Sequence, residues 1–195
     1  MWWTMIGGMA MAADLAPVSE ASSGVTAVAV KDLAGAVRIV GEDTDEIRVT
    51  GSVEEGEAKI QLRREGGVVT VTVKGHRPKN LELEVHVPRS MEAVTVYAVT
   101  GPVSARGVSG ALAVVSNTGP VEVRDAGSLR VQRVLGPLTL DGVGGDVVVD
   151  GLTGAVSAAD VGGDLTLDGV VGPVKTGDVG GELIVRGGTP ILDRL

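Results

Sequence analysis

Between residues 101 and 189 the chain repeats itself at a fixed interval, and that interval constrains its fold more than anything else in the sequence. Written as lines that each begin at a glycine, the stretch reads GPVSARGVSGALAVVSNT, GPVEVRDAGSLRVQRVL, GPLTLDGVGGDVVVDGLT, GAVSAADVGGDLTLDGVV and GPVKTGDVGGELIVRGGT. The lines start at Gly101, Gly119, Gly136, Gly154 and Gly172, in steps of 18, 17, 18 and 18 residues. One deletion after Gly127 accounts for the short step. Self-similarity at a fixed period marks stacked coils, each of which buries its apolar face only against its neighbours.

Within each line the apolar residues keep their places. The third place holds Val103, Val121, Leu138, Val156 and Val174, and the fifth holds Ala105, Val123, Leu140, Ala158 and Thr176. The twelfth and fourteenth places are aliphatic throughout, as at Leu165 and Leu167. A spacing of two is the strand period, so each coil carries two short strands with aliphatic residues pointing inward. Val143, Val161 and Val179 fill one corner, and Val134, Leu152 and Val170 the opposite one. Glycine opens each coil where a sharp corner needs positive φ or a close backbone approach. Proline follows it at Pro102, Pro120, Pro137 and Pro173, where a strand's first residue tolerates a missing N–H. The fold expected is all-β: a parallel β-solenoid, or β-helix, with 18-residue coils, preceded by a small β unit containing a hairpin.

Composition agrees. Hydrophobic residues make up 44% of the chain but aromatics only 2%, which suits a narrow core filled by Val, Leu and Ala. The net charge of −8 argues against general nucleic-acid binding. Without cysteine there are no disulfides, no thiolate metal sites and no Cys nucleophile.

Residues 1–13 (MWWTMIGGMAMAA) are apolar and uncharged, and Ala10-Met11-Ala12 has the small-x-small form of a signal-peptidase site. We read them as a signal peptide of an exported protein, periplasmic or extracellular. Residues 14–24 read as a linker and residues 25–100 as an N-terminal β unit or irregular first coils. In that unit KIQLRREGGVVTVTVK (residues 59–74) has the alternation of a hairpin turning at Gly66-Gly67. A basic loop, GHRPKN (residues 75–80), follows it. Residues 101–189 are the regular solenoid. Residues 190–195 read as a short tail that leaves the last coil an open edge, which invites a weak homodimer.

The parts and their order resemble a widespread bacterial family known as putative adhesins. The matching features are GAVRIVGEDTDEIRVTG (residues 35–51), REGGVVTVTV (residues 64–73), LELEVHVPRSMEAVTVYAVTGPVSARGVSGALAVVSNTGPVEV (residues 81–123) and the Gly-x-Val-x-Val units after them. Many relatives carry Ser-Gly-Asp where this chain has Thr-Gly-Pro. The resemblance implies an exported, non-enzymatic β-solenoid of the cell envelope and supplies no catalytic residues.

Candidate chemistry lies in stacked acids. Asp146, Asp164 and Glu182 share one place in the repeat, Asp150 and Asp168 another, and Asp160 and Asp178 a third. Carboxylates one strand spacing apart either repel or share a cation such as calcium. In a calcium β-roll, however, the acid does not follow Gly-Gly directly. Asp150 and Asp168 also have the form of a glycosidase pair, but coils without insertions build no groove. His76 and His86 form no metal spacing. His86 reads as facing solvent, and His76 sits in the basic loop with Arg77 and Lys79, an anion-binding candidate. Ser104, Thr139, Ser157 and Thr166 point outward without a triad arrangement. The reading is therefore a non-enzymatic, adhesin-like structural or interaction module with a protein or glycan partner and no nucleic acid. No catalytic, cofactor or metal residue is assigned. A calcium-binding β-roll-like module and a polysaccharide-active β-helix enzyme are the alternatives.

Overall fold

The computed structural model describes residues 12–187 and 189–194. All regular structure among these residues is β, joined in one mixed eighteen-stranded sheet. The N-terminal strands are β1 (Ala13–Ala21), β2 (Ala27–Glu42), β3 (Glu46–Val53), β4 (Glu55–Glu65), β5 (Val68–Lys79) and β6 (Leu81–Pro88). Next come β7 (Ala93–Thr100), β8 (Val103–Arg106), β9 (Ala111–Val115), β10 (Val121–Ala126), β11 (Ser128–Leu135) and β12 (Leu138–Val143). The last are β13 (Val147–Thr153), β14 (Val156–Val161), β15 (Leu165–Asp168), β16 (Val171–Thr176), β17 (Leu183–Arg186) and β18 (Thr189–Arg194).

From β7 onward each strand pairs in parallel with the strand two ahead, so the chain alternates between two runs of strands. Register follows the repeat: Val121, Leu138, Val156 and Val174 are successive partners in the first run. Leu129, Val147, Leu165 and Leu183 are successive partners in the second. The aliphatic residues at these places are buried, apart from half-buried Leu183 on the last strand of its run.

The glycine that opens each line is explained by its neighbour across the rung. At Gly35, Gly101, Gly119, Gly136, Gly154 and Gly172 φ lies between +142° and +154°. A Cβ at any of these positions would lie 2.2–2.4 Å from the carbonyl oxygen of the residue one rung earlier. Backbones pass there too closely for any side chain. Gly35 belongs to this ladder, between Leu81 and Gly101, which places β2 among the rungs.

Indeed β2 is a rung taken out of chain order. Its first half pairs with β5 on one side and β7 on the other, and its second half with β6 and β8. The first run therefore reads β1-β3-β6-β2-β8-β10 and onward in space, and the second β4-β5-β2-β7-β9 and onward. Among the described residues the antiparallel pairs are β1–β3, β3–β6 and β4–β5, all at the N-terminal end of the sheet. The hairpin expected at Gly66-Gly67 is β4–β5, with Leu62 opposite Val71 and Ile60 opposite Val73.

Three expectations need correction. Most of the stretch read as a linker is strand: β1 pairs with β3 through a bulge between Leu15 and Val18, where Pro17 has no N–H to donate. Its polar composition is that of an edge strand burying little beyond Leu15. The basic loop at residues 75–80 is mostly the end of β5, with Lys79 opposite Glu55. The tail after Thr189 is β18, which continues the register with Val174 opposite Leu192. Pro190 stands where the other lines have glycine, opposite Gly172, and so hides the sixth line. Of the apolar segment read as a signal peptide, residues 1–11 lie outside the described residues.

Candidate binding face and the acidic ladders

The Gly-Gly-acid corners are an inter-rung hydrogen-bond device. Asp146 Oδ1 accepts the backbone N–H of Asp164 at 3.0 Å, and Asp164 Oδ1 accepts that of Glu182 at 2.8 Å. The second glycine of the motif makes room for the carboxylate: a Cβ at Gly163 would lie 2.3 Å from Asp146 Oδ1, and one at Gly181 2.2 Å from Asp164 Oδ1. These oxygens are therefore engaged with backbone donors. Asp164→Ala is expected to lower stability by about 1 kcal/mol and Asp164→Asn by less, because the amide oxygen still accepts. Urea melts of the two variants check this, and equal losses would refute the bond.

Asp150 and Asp168 are register partners on β13 and β15, both exposed, with Arg186 next in the row. Asp160 sits at positive φ, beside the stacked turn residues Gly142 and Asp125, and its side chain is exposed. Asp178 is exposed as well. Among the described residues no three or more His, Asp or Glu side chains are grouped to hold a metal ion.

The histidines divide. His76 is exposed opposite Glu57. Near it, Lys79 pairs with Glu55, whose hydrogen bond and charge raise the lysine's pKa above its ordinary value. Asn80 donates to Glu54. Of the cations expected to meet an anionic ligand there, Lys79 already has a carboxylate. His86, expected to face solvent, is only 14% exposed. Its Nδ1 lies 2.9 Å from Glu42 on β2 and its Nε2 3.3 Å from Glu84 on β6, but Nδ1 is buried without a hydrogen-bond partner. Ser104, Thr139 and Ser157 share one outward row with Glu122, and Thr166 lies on the other run.

A sizeable concavity went unforeseen. A cleft of about 660 Å³ opens on the outer surface of the first run, at the N-terminal end of the stack. Five neighbouring strands line it: β1 with Asp14 and Leu15, β3 with Thr50 and Ser52, β6 with Glu82 and Glu84, β2 with Arg38, and β8 with Ser104. Its walls combine carboxylates, hydroxyls and one guanidinium over an apolar floor that includes Leu15 and Leu83. Outward alternation along β3 and β6 was legible, but their adjacency to β1 and β2 was not.

No family model matches the chain, and no curated protein matches it. Among solved structures, a putative cell adhesion protein from Clostridium sporogenes is similar over 94% of this chain and 99% of its own, at 9% identity and a TM-score of 0.45. A putative adhesin from Bacteroides fragilis is similar over 92% of this chain and 96% of its own, at 10% identity and a TM-score of 0.49. A putative adhesin from Parabacteroides merdae is similar over 93% and 98%, at 8% identity and a TM-score of 0.37.

Proposed function

We propose that the chain is an exported, non-enzymatic β-solenoid that serves the cell envelope as an adhesin-like interaction module. The observation that carries the solenoid is the parallel register two strands ahead, which keeps the 17- or 18-residue interval from Gly101 through Gly172. The cleft across β1, β3, β6, β2 and β8 supports the interaction role, because it gathers hydrogen-bonding groups on an otherwise regular wall. Export rests on the apolar residues 1–13 with Ala10-Met11-Ala12. A weak homodimer through the edge of β17 and β18 belongs to the same reading. Sedimentation across a concentration series reads it, and a strict monomer removes it.

A glycan array combined with a reducing-sugar assay on the same polymers tests the whole reading. Binding without release of reducing ends is expected. Release that disappears in Asp150→Asn or Asp168→Asn would replace the reading with a polysaccharide-active enzyme. A calcium-dependent rise in melting temperature, reversed by a chelator, would replace it with a β-roll-like module.

A further inference from the structure

We propose that the outer surface carrying Arg38, Arg106 and Arg124 binds an acidic polysaccharide, its guanidinium groups taking carboxylate or sulfate oxyanions. The proposal deepens the interaction-module reading and rests on it for the biological role, but the site stands on its own geometry. Arg38 on β2, Arg106 on β8 and Arg124 on β10 occupy three consecutive strands, and all are exposed. Arg106 and Arg124 are direct register partners, an arrangement in which like charges repel until an anion lies between them. Arg63, Arg64 and Arg89 each face a carboxylate, whereas Arg48, Arg130 and Arg186 stand singly without an ion pair among the described residues. Here Arg124 is held by Glu122 at 2.6 Å; Arg38 stands opposite Glu84 on β6, yet neither Arg38 nor Arg106 has an ion pair or side-chain hydrogen bond among the described residues.

The three arginines line a recess of about 170 Å³ together with Ser104, Ala105 and Glu122. Arg38 and Ser104 line both this recess and the larger cleft, so the two form one continuous surface. A guanidinium fork matches a planar or tetrahedral oxyanion with paired N–H donors. On the cleft side Glu82, Glu84, Thr50 and Ser52 supply acceptors and hydroxyls suited to sugar hydroxyl groups. Rungs about 4.8 Å apart offer such groups repeatedly along a linear polymer. Single-stranded nucleic acid fits less well, because no aromatic side chain lines either hollow to stack a base.

The test is calorimetric titration of the full chain with polygalacturonate, heparin, neutral dextran and a DNA duplex. Polygalacturonate or heparin is expected to bind at low salt, the pair distinguishing carboxylate from sulfate, and binding should vanish in about 1 M NaCl, where the screening length is about 3 Å. An Arg38→Gln/Arg106→Gln double variant, with its melting temperature unchanged, should bind about tenfold or more weakly, and Arg63→Gln as wild type. No binding of either polyanion, undiminished binding by the double variant, or DNA bound more tightly than both would overturn the proposal. Retention of dextran alone would overturn it and leave the interaction-module reading standing. Release of reducing ends would remove that reading while loss of binding in the double variant still supported the site.

Discussion

Leu165→Asp is expected to unfold the stack locally around β13, β15 and β17, while Thr166→Asp, one residue on, is nearly neutral. Leu165 is fully buried, between Val147 on one side and Leu183 on the other. Removing a buried leucine costs about 2–5 kcal/mol through lost transfer energy and cavity formation. An ionised carboxylate in its place has no cation or N–H donor to compensate desolvation, so the variant either opens the rung or binds a proton there. Thr166 points outward beside Val148 and Ile184 and is only half-buried. For a chain of this size each kcal/mol moves the Tm by roughly 2–4 °C. Leu165→Asp should therefore lower it by about 10 °C or more, and Thr166→Asp by at most a few degrees. Thermal melts followed by circular dichroism check this; equal shifts would reverse the assignment of faces.

Gly136→Ala is expected to cost more than about 3 kcal/mol, far beyond a usual glycine substitution. The added methyl would come 2.3 Å from the Gly119 carbonyl oxygen and 2.6 Å from its carbon. Neither strand can draw back freely. Gly119 N–H donates to Leu135 O, and Gly136 N–H donates to Thr153 O, so the corner is bonded rung to rung. Gly66→Ala is the control. Its φ of +60° is also positive, but nothing lies within 4 Å of the new Cβ. That variant should lose only about 1–2 kcal/mol, the ordinary cost of a left-handed conformation. Urea midpoints of the two would separate crowding between rungs from backbone conformation, and similar losses would discard crowding as the reason for the glycine ladder.

The regular lines were legible because burial there depends on local alternation alone: Val121-x-Val123 must face inward whichever strand lies beside it. Neighbours were legible where the period supplied them, as for Leu138 beside Val121 and Val156. Outside the repeat, periodicity names no partner. Val37-Arg38-Ile39 reads as a strand, but nothing local says that it lies between Leu83 and Val103 rather than at the end of the stack. The cleft depends on that adjacency and on β1, whose Asp, Ser and Glu are equally at home in a linker. His86 was misread for the same reason. Alternation places it outward, yet it lies in a small recess with Glu42, Thr44, Glu46 and Arg48. The corner acids were found by their spacing, while their bond to the next rung's N–H lies in the third dimension.

The displaced rung makes assembly order a property of this molecule. During synthesis β2 leaves the ribosome before any strand it pairs with; β5 and β6 follow it, and β7 and β8 come later still. The chain therefore cannot zip up from its N-terminus. An apolar sixteen-residue strand must wait for both walls of its slot, and such non-local closure is slow and aggregation-prone. Truncation inherits the same asymmetry. Trimming the distal strands moves an edge inward a step at a time, whereas removing β2 leaves unsatisfied edges facing each other in both runs, between β5 and β7 and between β6 and β8.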